Sequence, residues 1–129
     1  MRNIKILDEC FVLNKRHVTE ICHGLCEAAL DLNLWAYARI DTITPDLLTL
    51  MKSAGIRWLC YGIEAASERV RSHVEKQGYG PDRIREVVRM TREAGIHVVA
   101  NFMFGRPDDD WESLRETLDL ALELNCEYT

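Results

Sequence analysis

The sequence of 129 residues lacks the features that define several classes of protein. It has no apolar run near the roughly 18 residues that a membrane span needs. Its first residues, MRNIKILDECF, contain no apolar stretch before a small-residue cleavage site, as a signal peptide would. Basic residues are not in excess, because 16 Lys and Arg stand against 21 Asp and Glu, a formal charge of −5. We therefore expect a cytoplasmic protein with neither a membrane nor a nucleic-acid partner.

A metal-binding or disulfide pattern is also lacking. The cysteines are odd in number and irregularly spaced, at Cys10, Cys22, Cys26, Cys60 and Cys126. The histidines, His17, His23, His73 and His97, form no i, i+4 pair on a helix face. In a cytoplasmic chain this pattern predicts thiols rather than a disulfide framework, and no metal site within the chain.

Short apolar runs alternate with helical patterns along the whole chain. The apolar runs predict strands over residues 3–7, 34–39, 56–62 and 96–104. Helix starts are predicted at Asn14, at Thr44-Pro45, at Ser67 for a short helix ending near 77–78, at Gly80-Pro81, and at Asp109, which forms a capping box with Glu112. A further strand is expected where residues 125–129 follow the last helix.

Two segments forty residues apart resemble each other and define a repeat. SAGIRWLCYG at 53–62 and EAGIHVVANF at 93–102 each end a helix with Ala-Gly and enter a buried strand. Strict β-α alternation predicts a parallel sheet with right-handed crossovers. The residues alone leave two α/β architectures open: part of a (βα) barrel, or an open doubly wound sheet.

Each predicted strand is followed by a polar or glycine-containing cluster. The clusters are Asp8-Glu9-Cys10, Arg39-Ile40-Asp41, residues 62–67, and Gly105-Arg106-Pro107 with the aspartates 108–110. Ligands of parallel βα folds bind at these carboxyl ends. Asp41 and the three aspartates are interpreted as capping or solvated residues. Arg39 and Glu64 directly follow apolar strands, where an unpaired charge is costly, so they either serve a ligand or pair with each other.

The four clusters, in their order, resemble those of a known family. The strings are Asp-Glu-Cys-Phe at 8–11, Ala-Arg-Ile-Asp at 38–41, Gly-Ile-Glu-Ala-Ala-Ser at 62–67 and Asn-Phe-Met-Phe-Gly-Arg-Pro-Asp-Asp at 101–109. They are similar to radical S-adenosylmethionine (SAM) enzymes, in particular to the group usually preceded by a cobalamin-binding domain. That group includes methyltransferases and anaerobic magnesium-protoporphyrin monomethyl ester cyclases. The resemblance implies a (βα)6 partial TIM-type barrel, of which residues 1–129 would be the central piece with family strands two to five.

The resemblance also implies a set of SAM-binding residues. Asp8 and Glu9 would lie beside the amino group of the methionyl moiety, and Arg39 would face its carboxylate. Glu64 would accept hydrogen bonds from the ribose hydroxyls, assisted by Ser67. The adenine would lie against backbone from four consecutive residues: Phe104, Gly105, Arg106 and Pro107.

The family's 4Fe–4S cluster is expected to be held outside this chain. Its three cysteines follow the pattern C-x₃-C-x₂-C. Cys22 and Cys26 match the first half, but Ala29 occupies the third position, and both cysteines lie on the predicted core-facing stripe of a helix. Cys10 alone cannot hold a cluster. The chain by itself is therefore expected not to cleave SAM, and the use of cobalamin through an upstream domain stays open, as does the small-molecule substrate.

Two other classes compete with this interpretation. An ordinary TIM-barrel lyase, aldolase or isomerase would need a metal triad or a catalytic lysine at a strand end, and no lysine is predicted there; the lysines are Lys5, Lys15, Lys52 and Lys76. A doubly wound binding module of receiver or flavodoxin type would use Asp8 and Glu9 as an acidic cluster and would show a reordered sheet. A barrel piece would have open edges, which predicts self-association.

Overall fold

The strands form one parallel sheet whose spatial order is the chain order. The computed structural model describes residues 2–9, 11–71 and 78–129. The strands are β1 (Asn3–Lys5), β2 (Asn33–Ala38), β3 (Ile56–Glu64) and β4 (His97–Phe102). All three pairings are parallel, in the order β1-β2-β3-β4. Successive right-handed crossovers in one direction give this order in a barrel wall, whereas a doubly wound sheet reverses direction. The fold is a segment of a TIM-type barrel, and the doubly wound alternative is wrong.

Helices connect the strands and cover one face of the sheet. They are α1 (Lys15–Glu27), α2 (Pro45–Ser53), α3 (Glu68–Arg71), α4 (Pro81–Glu93) and α5 (Trp111–Leu124), with a 3₁₀ turn at Ile40–Thr42. The predicted caps of α1 and α2 are confirmed, since Asn14 accepts from the His17 amide at 3.2 Å and Thr44 from the Leu47 amide at 3.3 Å. The start of α3 after Ser67 and of α4 after Gly80 are also as predicted. The predicted end of the short helix at 77 lies outside the described residues.

The cap of α5 is one residue later than predicted. Asp110, not Asp109, accepts from the Ser113 amide at 2.8 Å, and the Ser113 hydroxyl accepts from the Asp110 amide at 3.0 Å. The carboxylate of Asp109 instead closes the preceding turn by accepting from the Arg106 amide at 2.8 Å. In a capping box the third residue of the helix accepts a hydrogen bond from the amide of the cap residue. Here Ser113 plays that part, so the capping box predicted with Glu112 is wrong.

The outer strands are shorter than predicted, and β3 is longer. β4 ends at Phe102; the Met103 amide still donates to the Glu64 carbonyl of β3, and the chain then turns at Gly105, whose φ is +80°. β1 ends at Lys5 rather than at Leu7. A lysine therefore does stand at a strand end, and the expectation that none would is wrong.

The core lies between the sheet and the helices. In β2 the residues alternate, so that Leu34, Ala36 and Ala38 are buried against the helices while the residues between them are only partly buried. Cys22 of α1 is fully buried, as predicted for a core position. Cys26 is exposed, so its placement on the core-facing stripe is wrong. It lies four residues after Cys22, near the helix end, where no described element covers it.

Two details fix how strands enter the sheet. Gly55 precedes β3 with a φ of +92°, and a Cβ there would lie 2.9 Å from the Leu32 carbonyl oxygen, so only glycine fits. After α5 the chain begins a further parallel pairing with β4, because the Ala100 amide donates to the Tyr128 carbonyl at 2.8 Å. This is where the fifth strand was expected.

Among the described residues, no helix combines the length and apolar character that a membrane crossing requires.

Candidate functional site

The carboxyl ends of the strands bring the predicted site residues to one rim. Arg39 directly follows β2, and Glu64 is the last residue of β3. These strands are neighbours, paired through Ala38 and Tyr61 near their ends. We call this edge of the sheet the rim; it also includes the residues after β1 and β4. Asp8 and Glu9 follow β1, on the other side of β2 from Glu64, and both are exposed.

The guanidinium of Arg39 is held by a neighbouring carboxylate. Its Nε and Nη2 donate to the two carboxylate oxygens of Asp41 at 3.0 and 2.7 Å, and both side chains are about one-third exposed. Asp41 was interpreted from the sequence as a capping or solvated residue, and the structure instead makes it a bidentate ion-pair partner. A guanidinium fixed in this way can still meet a second carboxylate, because it has more donors than one carboxylate accepts.

Glu64 lies at a strained turn at the end of β3. Its φ is +70°, which L-residues rarely adopt, and only 7% of it is exposed. The pairing with β4 shifts register between Gly62 and Glu64, so that Ile63 bulges. The Ala65 amide donates to the Ile63 carbonyl at 2.9 Å. An i to i+2 bond around a central residue of positive φ is the strained form of γ-turn. Such strain is concentrated at functional sites.

Bonds from distant parts of the chain hold this turn. The Met103 amide donates to the Glu64 carbonyl at 2.7 Å, and the Ala66 amide donates to the Thr117 hydroxyl of α5 at 3.1 Å. Thr117 is buried, and its hydroxyl donates a hydrogen bond to the Ser113 carbonyl at 2.9 Å. The backbone on both sides of the Glu64 carboxylate is therefore fixed. Ser67, the predicted assistant of Glu64, lies partly buried just beyond this turn.

Tyr79 also belongs to the rim, which the sequence did not indicate. Burial raises the pKa of Tyr79, and the charges of Arg71, Asp41, Arg39 and Glu64 act on that pKa as well. These charges act on one phenol because the fold brings residues from three separate segments together. Tyr79 precedes the predicted helix start at residue 80, and nothing in the local sequence distinguishes it from an ordinary turn residue.

Aromatic side chains line the sheet face opposite the helices. Trp35 and Tyr37 share this face with Arg39, at a spacing of two residues, and their rings meet edge to face at 4.6 Å. The Lys5 ammonium lies 4.2 Å from the Trp35 ring centre and 5.1 Å from that of Tyr37. A concavity of about 390 Å³ on this face is bordered by Lys5, Trp35 and Trp58. In a strand successive side chains alternate between the two faces of the sheet, so the residues on this face could have been identified from positions 35, 37 and 39 of the sequence.

The loop after β4 presents open backbone. Phe104 is half exposed, and Gly105 has a φ of +80° with nothing within 4 Å of the position of a Cβ. Arg106 is anchored, since its amide donates to Asp109 and its Nη1 lies 3.6 Å from the Met103 sulfur. Pro107 is exposed. The four residues predicted to meet the adenine thus lie consecutively at the end of β4, with a glycine where a flat group could approach the chain.

The described residues do not hold an iron–sulfur cluster. Nowhere in residues 2–9, 11–71 and 78–129 do three His, Cys, Asp or Glu side chains gather as metal ligands would. Cys10 and His73 lie outside that range. The polar groups at the rim are of a different kind. Carboxylates can accept hydrogen bonds from an ammonium group or a ribose diol, and a guanidinium can bind a carboxylate.

Parallel βα units with polar groups gathered at the carboxyl ends of the strands define a barrel of the ligand-binding type. The model of the Radical SAM superfamily matches residues 12–121 of the sequence. The chain belongs to this superfamily.

Individual relatives agree with this assignment. The chain is 29% identical over 128 residues to an uncharacterized methyltransferase of Pyrococcus horikoshii, covering 99% of this chain and 28% of that protein. It is 27% identical over 123 residues to the anaerobic magnesium-protoporphyrin IX monomethyl ester cyclase of Rubrivivax gelatinosus, covering 93% of this chain and 22% of that protein. The chain therefore spans less than a third of the length of these relatives.

A solved structure shows the same fold. The radical SAM methyltransferase of Kitasatospora setae, determined with cobalamin and a 4Fe–4S cluster bound, superposes with a TM-score of 0.85 at 21% identity. The superposition covers 96% of this chain and 24% of that one. The βα arrangement described above is thus that of a radical SAM barrel, as the resemblance implied.

Proposed function

We propose that residues 1–129 form the central part of the barrel of a longer radical SAM enzyme, corresponding to family strands two to five. The rim would bind SAM: Asp8 and Glu9 its amino group, Arg39 its carboxylate, and Glu64 with Ser67 its ribose. Backbone from Phe104, Gly105, Arg106 and Pro107 would lie along the adenine. The observation that carries this proposal is the buried Glu64 carboxylate, held on a strained turn one strand away from the fixed guanidinium of Arg39.

The reductive cleavage of SAM would require a group that the described residues do not supply. A 4Fe–4S cluster would contribute the electron, and we propose that its cysteines lie in the longer protein, outside this chain. What this chain contributes is orientation, because fixed groups at both ends of SAM would hold the sulfonium in one position. The reaction served would be methyl transfer or a porphyrin-type cyclisation on a small molecule, with cobalamin as an additional cofactor if an upstream domain binds it.

The thiols support a proposal about the compartment. Cys22, Cys26 and Cys126 form no disulfide in the described part of the chain. Thiols of this kind are typical of a reducing compartment. We propose that the enzyme acts in the cytoplasm, on a small molecule rather than on a nucleic acid.

Titration of the 129-residue chain with SAM, followed by the shifts of backbone amides in NMR spectra, tests the assignment. We expect weak, saturable binding with the largest shifts at the rim. Glu64→Gln should weaken it about tenfold, because a charge-assisted bond to a diol is lost. Glu123→Gln is the matched control: it makes the same change in an exposed carboxylate of α5 that pairs with Arg85. Equal affinity in both variants, or shifts spread away from the rim, would refute the assignment.

We also propose that the isolated chain self-associates. Strand β1 forms one edge of the sheet, and within residues 2–9, 11–71 and 78–129 no helix lines the aromatic concavity around Trp35 and Trp58. Unpaired strand edges and exposed apolar faces favour association with a second copy. Light scattering across a concentration series should show a dimer or larger species, and a monodisperse monomer at every concentration would contradict this.

A further inference from the structure

The guanidinium of Arg71 is buried directly behind the loop that follows Glu64. Arg71 is 1% exposed. Its Nη1 donates to the carbonyl oxygens of Ala65 at 2.5 Å and Ala66 at 2.6 Å, and its Nη2 donates to the Tyr79 carbonyl at 2.7 Å. One side chain thus joins the two peptide groups after Glu64 to the segment that carries Tyr79.

Packing alone does not explain an arginine at this position. Burying a charge is costly unless it is paired or well hydrogen-bonded, and an apolar side chain would fill the same space. The nearest carboxylate oxygen recorded for Arg71, from Glu68, is 4.0 Å away on a side chain that is 68% exposed. Burial lowers the pKa of Arg71, against the opposing influence of Tyr79 and Glu68. Backbone carbonyls are therefore the main partners of this charge.

Those carbonyls belong to the part of the loop that the strained turn redirects. At Glu64 the chain leaves the regular ladder, with a φ of +70°. After such a turn the following carbonyls no longer point toward a neighbouring strand, and buried carbonyls need another donor. Arg71 supplies it for Ala65 and Ala66, whereas the Met103 amide supplies the donor for the Glu64 carbonyl.

We propose that Arg71 is a positioning residue for Glu64, holding the strained turn so that the Glu64 carboxylate stays at the rim. The proposal rests on the SAM-binding role of Glu64 proposed above. It assigns no contact between Arg71 and SAM. Arg71 acts through the backbone of the loop, so its effect on SAM depends on the presence of the Glu64 carboxylate.

Hydrogen exchange measures the turn itself, whether or not SAM binds. In Arg71→Met, which keeps the length and removes the donors, the Ala66 and Met103 amides should exchange about tenfold faster, because loss of a charged hydrogen bond loosens the turn. The Leu48 amide in α2, bonded to the Thr44 carbonyl at 3.0 Å, should keep its rate. Arg71→Lys keeps a charged donor and should restore much of the protection, which also covers the case in which Arg71→Met does not fold.

SAM titrations of single and double variants measure the coupling. Arg71→Met should weaken SAM binding about tenfold in the wild-type background and less than about twofold in the Glu64→Ala background, because coupled residues are not additive. Arg92→Met is the matched control: it removes a guanidinium that donates to the carbonyl oxygens of Leu124 and Asn125 at the end of α5, and it should leave the affinity unchanged.

The outcomes separate the two proposals. Unchanged exchange of the Ala66 and Met103 amides in Arg71→Met overturns the positioning role, and so does an equal loss of affinity with and without Glu64. If the wild-type chain does not bind SAM but these amides lose protection, the proposed function fails while the control of the turn by Arg71 stands.

Discussion

A glycine in place of Glu64 should give a protein about 1 kcal/mol more stable than the alanine variant at that position, although both should bind SAM equally weakly, and more weakly than the wild type. The reason is the φ of +70°. Alanine keeps the steric conflict of a Cβ in this region, whereas glycine has none. Both variants lack the carboxylate that we assign to the ribose. Glycine would therefore relieve the backbone strain without restoring SAM binding, as expected where a strained conformation serves function.

Urea unfolding curves and SAM titrations of the two variants check this result. The same pair of substitutions at Glu116, an exposed residue in the middle of α5, is the control. In a helix interior alanine is favoured over glycine by about 1 kcal/mol, so the order of stability should be reversed there. An alanine variant that is the more stable of the two at both positions would show that the turn at Glu64 is not strained in solution.

Alkaline pH should destabilise the protein strongly through Cys22. Burial raises the pKa of this thiol from 9.0 to about 11, and the nearby Cys26 adds to the effect. Below pH 9 the folded and unfolded chains both hold the proton, and the full stability is present. Between about pH 9 and 11 the unfolded chain loses the proton first, so the free energy of unfolding falls by roughly 1.4 kcal/mol per pH unit. Cys22 alone then accounts for about 2 to 3 kcal/mol.

Cys126 reinforces this effect, since burial raises its pKa to about 11 as well, with Arg92 opposing. Unfolding by urea under reducing conditions at pH 8, 9, 10 and 11 gives the slope. Cys22→Ala removes one titrating thiol and should flatten the curve relative to the wild type. Parallel curves for the two proteins over this range would contradict the assignment to Cys22.

The sequence predicted the elements of the fold well, because most of the signals are local. Helix caps depend on residues within one turn, and Asn14 and Thr44 act as predicted. The Ala-Gly repeat marked the entries into β3 and β4. Where the local prediction failed, at the cap of α5, two aspartates stand side by side, and the choice between them depends on a return bond from Ser113.

The site was predicted less completely. The rim residues Arg39 and Glu64 could be proposed from the sequence, because charges directly after apolar strands are unusual. The pairing of Arg39 with Asp41, and the place of Tyr79 among the rim charges, could not be. The ion pair depends on the 3₁₀ turn at Ile40–Thr42, which contains Asp41, and the place of Tyr79 depends on how the fold brings separate segments together.

The sequence alone determined that strands and helices alternate in a parallel α/β fold, because strand and helix periods and caps depend on neighbouring residues. The order of four motifs carried the resemblance to radical SAM enzymes, and the strand order β1-β2-β3-β4 then excluded a doubly wound sheet. Only the tertiary structure decided how Glu64 is presented. Its strained turn is held by Met103, Thr117 and Arg71, each from a different element or loop. A conformation that is unfavourable locally can persist only when distant groups compensate for it, and no local pattern records which groups those are.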